Sequence, residues 1–381
     1  MRISCCVCGL CLLLMHCFAG VGESTPSSGT KPQERAEVSV GTQIQESIQK
    51  RLKAACEETE SSGGWAVVLE PKEHTVLAAA SYPVGDSSGA NPALTNLFEP
   101  GSTLKPLLFA IGLEIGSVTP GTLIDCEQGK WSLPTEITPM PIRDEEPLGI
   151  VPLSEAFWNS SNIGSAKTLE RIVHLDAAHP DYRTLYAFLL KLGLGPDLSH
   201  APSPSATIEL KPVDQWEPSD VLNLALGIGP LKVTALRLAE AYSILANDGV
   251  VGGGPSHVTT EAGDLDACNG VLSSQIVLEV RKLLAEVVLR GRGRTAQSSS
   301  YSIAAVPGTV SKEKPDEGRE TPRMLLFAGF APVENPQVVV VTVLDEPRKA
   351  RYGMETGPLF RDIIEDSLQI LGCPPDLSLR P

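Results

Sequence analysis

Two β-type segments near the start of this chain are separated from three others near its end by a long stretch of helical pattern. The first two, residues 65–70 and 75–81, flank the turn-forming residues 71–74, and this arrangement predicts a β-hairpin. The later segments are residues 301–306, 323–330 and 337–344. Strands at both ends and helices between them predict an α+β fold whose sheet recruits both chain ends.

Apolar residues recur at helical spacing through the middle of the chain and beside the β-type segments. Ile44, Ile48 and Leu52 show the pattern, which predicts an amphipathic helix. The predicted helices cover residues 43–60, 104–115, 153–173, 183–193, 273–288 and 358–371, with a pair of helices over 222–247. Two stretches rich in proline, residues 118–152 and 196–218, predict loops.

The N-terminal segment has the composition of an export signal. An apolar run over residues 3–18 follows Arg2, and it is shorter than the roughly 20 residues that a membrane span needs. Residues 1–19 therefore predict a signal peptide, with an uncleaved membrane anchor as the alternative. Lipid attachment at Cys17 is a further alternative, which His16 disfavours.

The composition changes after this leader. Residues 20–42 are rich in serine, proline and glycine, which predicts a flexible tether. Hydrophobic residues make up 42 % of the chain and charged residues 20 %, as in folded globular proteins. We expect one domain over residues 43–372 and a short tail over 373–381.

Charge and cysteine usage exclude several classes of protein. The net charge of −15 argues against a nucleic-acid partner, because proteins that bind nucleic acids present basic surfaces. Beyond the leader, Cys56, Cys126, Cys268 and Cys373 are far apart and match no zinc pattern. They are interpreted as buried or free thiols, with disulfides left open. The scattered histidines do not indicate a metal site either.

A serine and a lysine at a predicted helix start are the first candidates for catalysis. Ser102 follows the turn Pro100-Gly101 and precedes an apolar helix, so free backbone N–H groups favour negative charge there. Lys105 lies three residues later, on the same helix face. A partly buried lysine can serve as the base for a serine nucleophile. A capping serine beside an unrelated surface lysine is the alternative.

Two further segments carry little meaning when each is taken alone. The Ser-Ser-Asn sequence at 160–162 is typical of an ordinary loop or helix cap. Residues 301–309 predict a strand that runs into Gly-Thr, with Pro307 at a sheet edge or a strand end. An edge strand beside a cleft can accept an extended peptide. A plain edge strand without a ligand is the alternative.

In order along the chain, these segments resemble the transpeptidase domain of the class B, monofunctional penicillin-binding proteins. Residues 97–106 are similar to the nucleophile segment of that family, and residues 160–164 to its second motif. The helix before the third motif and the strand pair after it are matched by residues 233–236, 241–242, 246–249, 330–332 and 338–343. The resemblance covers about residues 43–372. It implies the fold shared by penicillin-binding proteins and serine β-lactamases, an α+β fold with an antiparallel sheet from both chain ends, flanking helices and an all-helical region.

The resemblance implies a catalytic role at three positions. Ser102 would be the nucleophile that accepts the acyl group. Lys105 would accept the proton of the Ser102 hydroxyl. Ser160 would hydrogen-bond into this pair and pass a proton to the leaving amine.

The resemblance also implies the substrate and how it is held. Asn162 would bind an amide of the donor peptide, and Gly308 and Thr309 would contact the substrate as part of the third motif. The backbone N–H groups of Ser102 and Thr309 would form the oxyanion hole. The substrate would be a peptidoglycan stem peptide ending in D-Ala-D-Ala, β-lactams would acylate the same serine, and no cofactor is implied.

One motif departs from the family pattern. The third motif is usually Lys-[Thr/Ser]-Gly, and this chain has Val306-Pro307 in place of the lysine and the hydroxyl residue. A lost charge-assisted hydrogen bond corresponds to roughly a 10–100-fold loss in rate. Lys312 would lie roughly 20 Å away along an extended strand. Arg292 and Arg294 precede the strand, and whether either substitutes is left open.

Three hypotheses follow. The presence of Ser102, Lys105, Ser160 and Asn162 together favours an active D,D-transpeptidase. Val306-Pro307 favours a non-catalytic relative that acts as a scaffold or muropeptide-binding module. A β-lactamase or β-lactam sensor is the third, although no added carboxylate indicates deacylation. The expected location is the periplasm or the outer face of the cytoplasmic membrane, with stem peptides, β-lactams and cell-wall synthesis or division proteins as partners, and no nucleic acid.

Overall fold

The computed structural model describes residues 32–83, 90–132, 141–196, 208–251, 270–312 and 321–377. The proposed leader 1–19 and Cys268 lie outside these residues. Within them, no helix is both long enough and apolar enough to cross a membrane. Cys56, Cys126 and Cys373 are free thiols, the first two of them buried.

The described strands and helices are numbered in chain order. The strands are β1 (Gly63–Glu70), β2 (Thr75–Tyr82), β3 (Leu123–Asp125), β4 (Lys130–Ser132), β5 (Pro141–Arg143), β6 (Ile150–Pro152), β7 (Glu209–Leu210), β8 (Leu231–Lys232), β9 (Ala304–Ser311), β10 (Arg323–Ala331) and β11 (Val338–Asp345). The helices are α1 (Pro32–Thr59), α2 (Pro92–Thr95), α3 (Lys105–Glu114), α4 (Leu153–Trp158), α5 (Asn162–Val173), α6 (Tyr182–Lys191), α7 (Pro218–Ala225), α8 (Ala235–Ala246), α9 (Ser274–Leu289) and α10 (Gly357–Ile370).

A five-stranded sheet lies at the centre, in the order β2-β1-β11-β10-β9. Every pairing in it is antiparallel. The two early strands and the three late strands join where β1 pairs with β11, so that Val67 lies opposite Val341. The predicted sheet from both chain ends is therefore confirmed, as is the predicted hairpin.

Two apolar clusters cover the two faces of this sheet. Along β1, Val67 packs into one cluster and Val68 into the other, as the alternation of side chains in a strand requires. Helices α1 and α10 contribute to the cluster around Val68. The cluster around Val67 contains residues of α3, α5, α8 and α9. Because both faces are covered, β1 and β11 are buried along nearly their whole length and consist mainly of apolar residues.

The structure corrects several sequence expectations. Helix α1 begins at Pro32, so the last part of the segment assigned to the tether is helical. The pattern over 153–173 is two helices, α4 and α5, separated at residues 159–161. The predicted loop over 118–152 contains the short strands β3 to β6, which pair as β3 with β6 and β4 with β5. Strands of three residues are too short to show a period in the sequence.

Strand β9 decides between the two positions predicted for Pro307, a sheet edge or a strand end. Strand β9 lies at the sheet edge, as Pro307 indicated. The strand does not end at Pro307, because it continues to Ser311, and Pro307 lies opposite Phe327 in β10. An edge strand has one side without a partner strand, so it tolerates a residue that lacks an N–H group.

Stacking between the sheet and α10 provides a test of the core. The rings of Phe327 and Phe360 stack with centroids 4.8 Å apart, and both side chains are fully buried. We expect Phe360→Ala to lower the free energy of unfolding by about 3–5 kcal/mol, because it removes apolar contacts and leaves a cavity. Denaturant unfolding measures this loss. Phe360→Leu keeps most of the volume and should cost less, and equal losses for both variants would contradict the packing.

Candidate active site

The segment that carries Ser102 is held by backbone contacts. Residues 101–104 form one 3₁₀ turn that leads directly into α3. Gly101 has a φ of +55°, and its N–H donates to the carbonyl of Gly227 over 2.8 Å. A Cβ atom at Gly227 would lie 1.9 Å from the Gly101 oxygen. The Tyr242 hydroxyl donates to the carbonyl of Thr103 over 2.6 Å. These contacts fix the turn on which the half-buried Ser102 lies.

Lys105 is buried at the start of the apolar helix α3. Its residue surface is 6 % exposed. The ammonium group donates to the Ser160 carbonyl over 2.7 Å, to Asn162 Oδ1 over 2.8 Å and to Ser160 Oγ over 3.3 Å. All three acceptors are uncharged, and together they match the three donors of the group.

Burial makes this amine unusually acidic. Loss of hydration lowers the pKa of Lys105 to about 8, although the charges of Asp144 and Glu145 act to raise the pKa and that of Arg292 acts to lower it. Burial dominates because taking an ammonium out of water disfavours its charged form. About a tenth of the Lys105 amine is therefore neutral at pH 7, and a proton acceptor must be in this neutral form.

The residues between α4 and α5 bring their polar groups to Lys105. Ser160 has a φ of +56°, which turns the chain sharply before α5. The Ser161 hydroxyl accepts from Gly164 N–H over 2.8 Å and caps α5. The side chain of Asn162 donates to the carbonyl of Arg143 over 2.7 Å, while its oxygen accepts from Lys105.

Asp144 holds this turn in place. Its carboxylate accepts from the Ser161 hydroxyl over 2.6 Å and from the backbone N–H groups of Asn162 and Ile163 over 2.6 Å and 3.1 Å. A carboxylate at a helix start also interacts favourably with the helix dipole. Sequence reasoning missed Asp144, because a single aspartate in a proline-rich stretch has no spacing that links it to residues 160–162.

The predicted site residues meet at one cleft. Ser102, Ser160, Asn162 and Thr309 line a cleft of about 300 Å³, and Pro307 lies beside Thr309. The ammonium of Lys105 donates to Ser160 and Asn162, two of the residues that line this cleft. The structure therefore brings the three sequence motifs together, although they are far apart in the chain.

Gly308 has a packing function in this arrangement. A Cβ atom there would lie 3.0 Å from the Thr103 side chain and 3.4 Å from the Pro100 oxygen. The absence of a side chain lets β9 approach the segment that carries Ser102 closely. On the cleft side, Gly353 N–H donates to Thr309 Oγ1 over 2.8 Å, and a Cβ atom at Gly353 would lie 2.1 Å from the Gly308 oxygen. Sequence reasoning missed Gly353.

The residues that replace the usual third motif bring no charge to the cleft. Val306 is 3 % exposed and belongs to the apolar cluster around Val67. Lys312 forms ion pairs with Asp345 over 2.6 Å and with Glu346 over 2.8 Å. It is not among the residues that line the cleft. Lys312 therefore does not substitute for the missing lysine.

Comparison with known proteins identifies the family. The penicillin-binding protein transpeptidase domain matches residues 64–365. The chain belongs to this family. It is similar to the transpeptidase domain of penicillin-binding protein 3 from Burkholderia pseudomallei, with a TM-score of 0.75, 28 % sequence identity and coverage of 91 % of this chain and 99 % of that one. The predicted fold class is confirmed by these structural matches.

Curated relatives carry related names. The chain is 29 % identical over 353 residues to the probable peptidoglycan D,D-transpeptidase PenA of Neisseria gonorrhoeae, covering 89 % of this chain and 57 % of that protein. It is 26 % identical over 373 residues to the peptidoglycan D,D-transpeptidase FtsI of Escherichia coli, covering 94 % and 60 %. The chain thus spans less than two thirds of the length of these two relatives.

The contacts of Asp144 predict a local role for its charge. We expect Asp144→Asn to lower the free energy of unfolding by about 1–3 kcal/mol, because an amide cannot replace every hydrogen bond that the carboxylate accepts. The Asn162 amide signal in an NMR spectrum should shift as well. Asp176→Asn is the matched control, because that side chain is exposed. Unchanged stability and an unchanged Asn162 signal would contradict the arrangement.

Proposed function

We propose that this chain is a serine D,D-transpeptidase that cross-links peptidoglycan stem peptides ending in D-Ala-D-Ala. One observation carries the proposal. Lys105 is buried beside Ser160 and Asn162, its direct hydrogen-bond partners are uncharged, and its pKa is lowered to about 8. A structural lysine is usually exposed or paired with a carboxylate. A lysine that loses its proton easily, one helical turn from a serine, is the arrangement that activates a hydroxyl group.

In the acylation step, neutral Lys105 accepts the proton of the Ser102 hydroxyl. The Ser102 oxygen bonds to the carbonyl carbon of the penultimate D-alanine, and the backbone N–H groups of Ser102 and Thr309 stabilise the oxyanion. The amide C–N bond then breaks. Protonated Lys105 returns this proton through the Ser160 hydroxyl to the leaving nitrogen, so that free D-alanine departs, Lys105 is neutral again and a Ser102 ester remains.

In the second step, an amine of a neighbouring stem peptide attacks the same carbonyl carbon. That amine loses a proton through the Ser160 hydroxyl to neutral Lys105, and Lys105 gives the proton to the Ser102 oxygen as the ester C–O bond breaks, which restores the Ser102 hydroxyl. Asn162 holds an amide of the donor peptide during both steps. A β-lactam acylates Ser102 in the same way, but its amine stays attached to the acyl group and does not leave.

The substrate determines the location that we propose. Stem peptides are cross-linked outside the cytoplasmic membrane, so the protein is exported and is periplasmic or anchored to the outer face of that membrane through residues 1–19. Its partners in the cell would be proteins of cell-wall synthesis or division. The aztreonam complex of Mycobacterium tuberculosis penicillin-binding protein 3, 28 % identical with a TM-score of 0.71, supports β-lactams as ligands.

Val306 favours a second candidate function. Because its buried side chain supplies no charge to the cleft, the chain would then be a catalytically impaired homologue that acts as a scaffold or muropeptide-binding module. The two functions differ in whether Ser102 can be acylated.

Intact mass spectrometry tests this difference. After incubation with benzylpenicillin, we expect one covalent adduct on the unmodified protein and none on Ser102→Ala. The melting temperatures of the two proteins should be nearly equal, because Ser102 is only half-buried. Absence of an adduct in a folded sample at high drug concentration would favour the scaffold. An adduct that persists in Ser102→Ala would show that another residue is acylated.

The pKa of Lys105 predicts a pH dependence. The neutral amine is the reactive form, so its fraction rises with pH until the pKa of about 8 is passed. We expect the rate of acylation by benzylpenicillin to rise about tenfold per pH unit below that value and to level off above it. Stopped-flow or quenched mass measurements provide this profile. A rate that does not change between about pH 6 and about pH 9 would show that Lys105 is not the proton acceptor.

A further inference from the structure

A cation other than a third-motif lysine lies at the cleft. The charged residues among those that line it in the described part of the chain are Glu99, Glu145 and Arg292. Arg292 is therefore the one cationic side chain in that lining. It shares the cleft with Ser102 and Thr309, which are the residues that would flank the reacting carbonyl.

The backbone of Arg292 is fixed against the segment that carries Ser160. Its N–H donates to the carbonyl of Trp158 over 3.1 Å. A Cβ atom at the preceding Gly291 would lie 2.3 Å from that same oxygen, so only glycine permits this close approach. Trp158 is the last residue of α4. Arg292 is thus positioned by the same chain segment as Ser160.

The side chain of Arg292 is held loosely by acidic residues. It is 19 % exposed and pairs with Glu145 over 2.7 Å, and Glu146 lies 3.6 Å away. Both glutamates are more than half exposed, and ion pairs with exposed carboxylates contribute little net stability. Arg292 also acts to lower the pKa of Lys105, which places its charge within electrostatic reach of the catalytic pair.

We propose that Arg292 binds the terminal carboxylate of the substrate and supplies the charge that Val306 cannot. This inference rests on the proposed function and names a residue that determines substrate specificity. A guanidinium group has five N–H donors in a planar fork that matches a carboxylate. When the cleft is empty, Glu145 occupies that fork. The substrate carboxylate displaces Glu145, which moves into solvent.

The two other cations considered as replacements for the third-motif lysine, Lys312 and Arg294, do not line the cleft. Lys312 pairs with Asp345 and Glu346. Arg294 is exposed and does not line the cleft, although it is only two residues from Arg292. Arg294 is therefore a matched control for a change of charge in this segment.

The test compares a ligand that carries the carboxylate with one that does not. Rates of acylation by benzylpenicillin and by its methyl ester are measured by intact mass for the unmodified protein, Arg292→Gln, Arg292→Lys and Arg294→Gln. We expect the unmodified protein and Arg294→Gln to prefer the acid. Arg292→Gln should lose roughly 10–100-fold with the acid and little with the ester. Arg292→Lys should retain part of the preference, because it keeps the charge but not the fork.

Equal losses with acid and ester in Arg292→Gln would overturn the proposal, because a merely structural arginine would affect both ligands alike. Glu145→Gln tests the exchange of carboxylates without removing the arginine. It should raise the preference for the acid, since a competing anion is lost. A decrease in that preference would also overturn the proposal.

Binding to Ser102→Ala separates this inference from the proposed function. An N-acetylated stem peptide ending in D-Ala-D-Ala and the same peptide with a C-terminal amide are titrated by NMR. We expect the acid to bind at least about tenfold more tightly, and the difference should vanish in Ser102→Ala/Arg292→Gln. This result would support Arg292 even if the unmodified protein were never acylated. Equal binding of acid and amide to Ser102→Ala would overturn the assignment.

Discussion

The hydrogen bonds of the Lys105 ammonium determine the arrangement of the rest of the site. A buried cation is costly unless its hydrogen bonds are satisfied, and here the acceptors come from Ser160 and Asn162. For these acceptors to point at one nitrogen, the chain must turn sharply between α4 and α5, which the left-handed backbone of Ser160 accomplishes. Asp144 then stabilises that turn through two backbone N–H groups and one hydroxyl. The burial that lowers the pKa of Lys105 is therefore also what requires this local backbone geometry.

Glycine residues allow Ser102 and strand β9 to come close to each other on the other side of the site. At Gly227 and Gly353 a side chain would collide with a neighbouring backbone, and at Gly308 a Cβ atom would lie only 3.0 Å from the Thr103 side chain. Three segments that are distant in sequence can consequently pack with their backbones in direct contact. The edge strand β9 can then hold Thr309 beside Ser102 even though the residues before it are apolar. Because this approach depends on backbone contacts, it does not require a lysine at position 306.

The sequence predicted those parts of the structure that follow from local patterns. Two β-type segments on either side of a turn identified the hairpin, and Pro307 indicated a sheet edge or a strand end. The break at residues 159–161 was missed, because the helical pattern continues through it and the turn depends on Asp144, which is remote in sequence. The motifs identified Ser102, Lys105 and Ser160 as candidates. They could not place Arg292 at the cleft, since that placement depends on Gly291 lying against Trp158.

The position of β1 in the sheet has a consequence for biosynthesis. Leu69 lies opposite Val339, so one side of β1 finds its partner strand only after most of the chain has been made. Closing such a long loop has an entropic cost, and contacts between distant residues slow folding. Until β11 arrives, the hairpin of β1 and β2 exposes an apolar strand edge, which is prone to aggregation. A cell that makes this protein must therefore keep an early, unfinished half soluble while the remaining strands emerge.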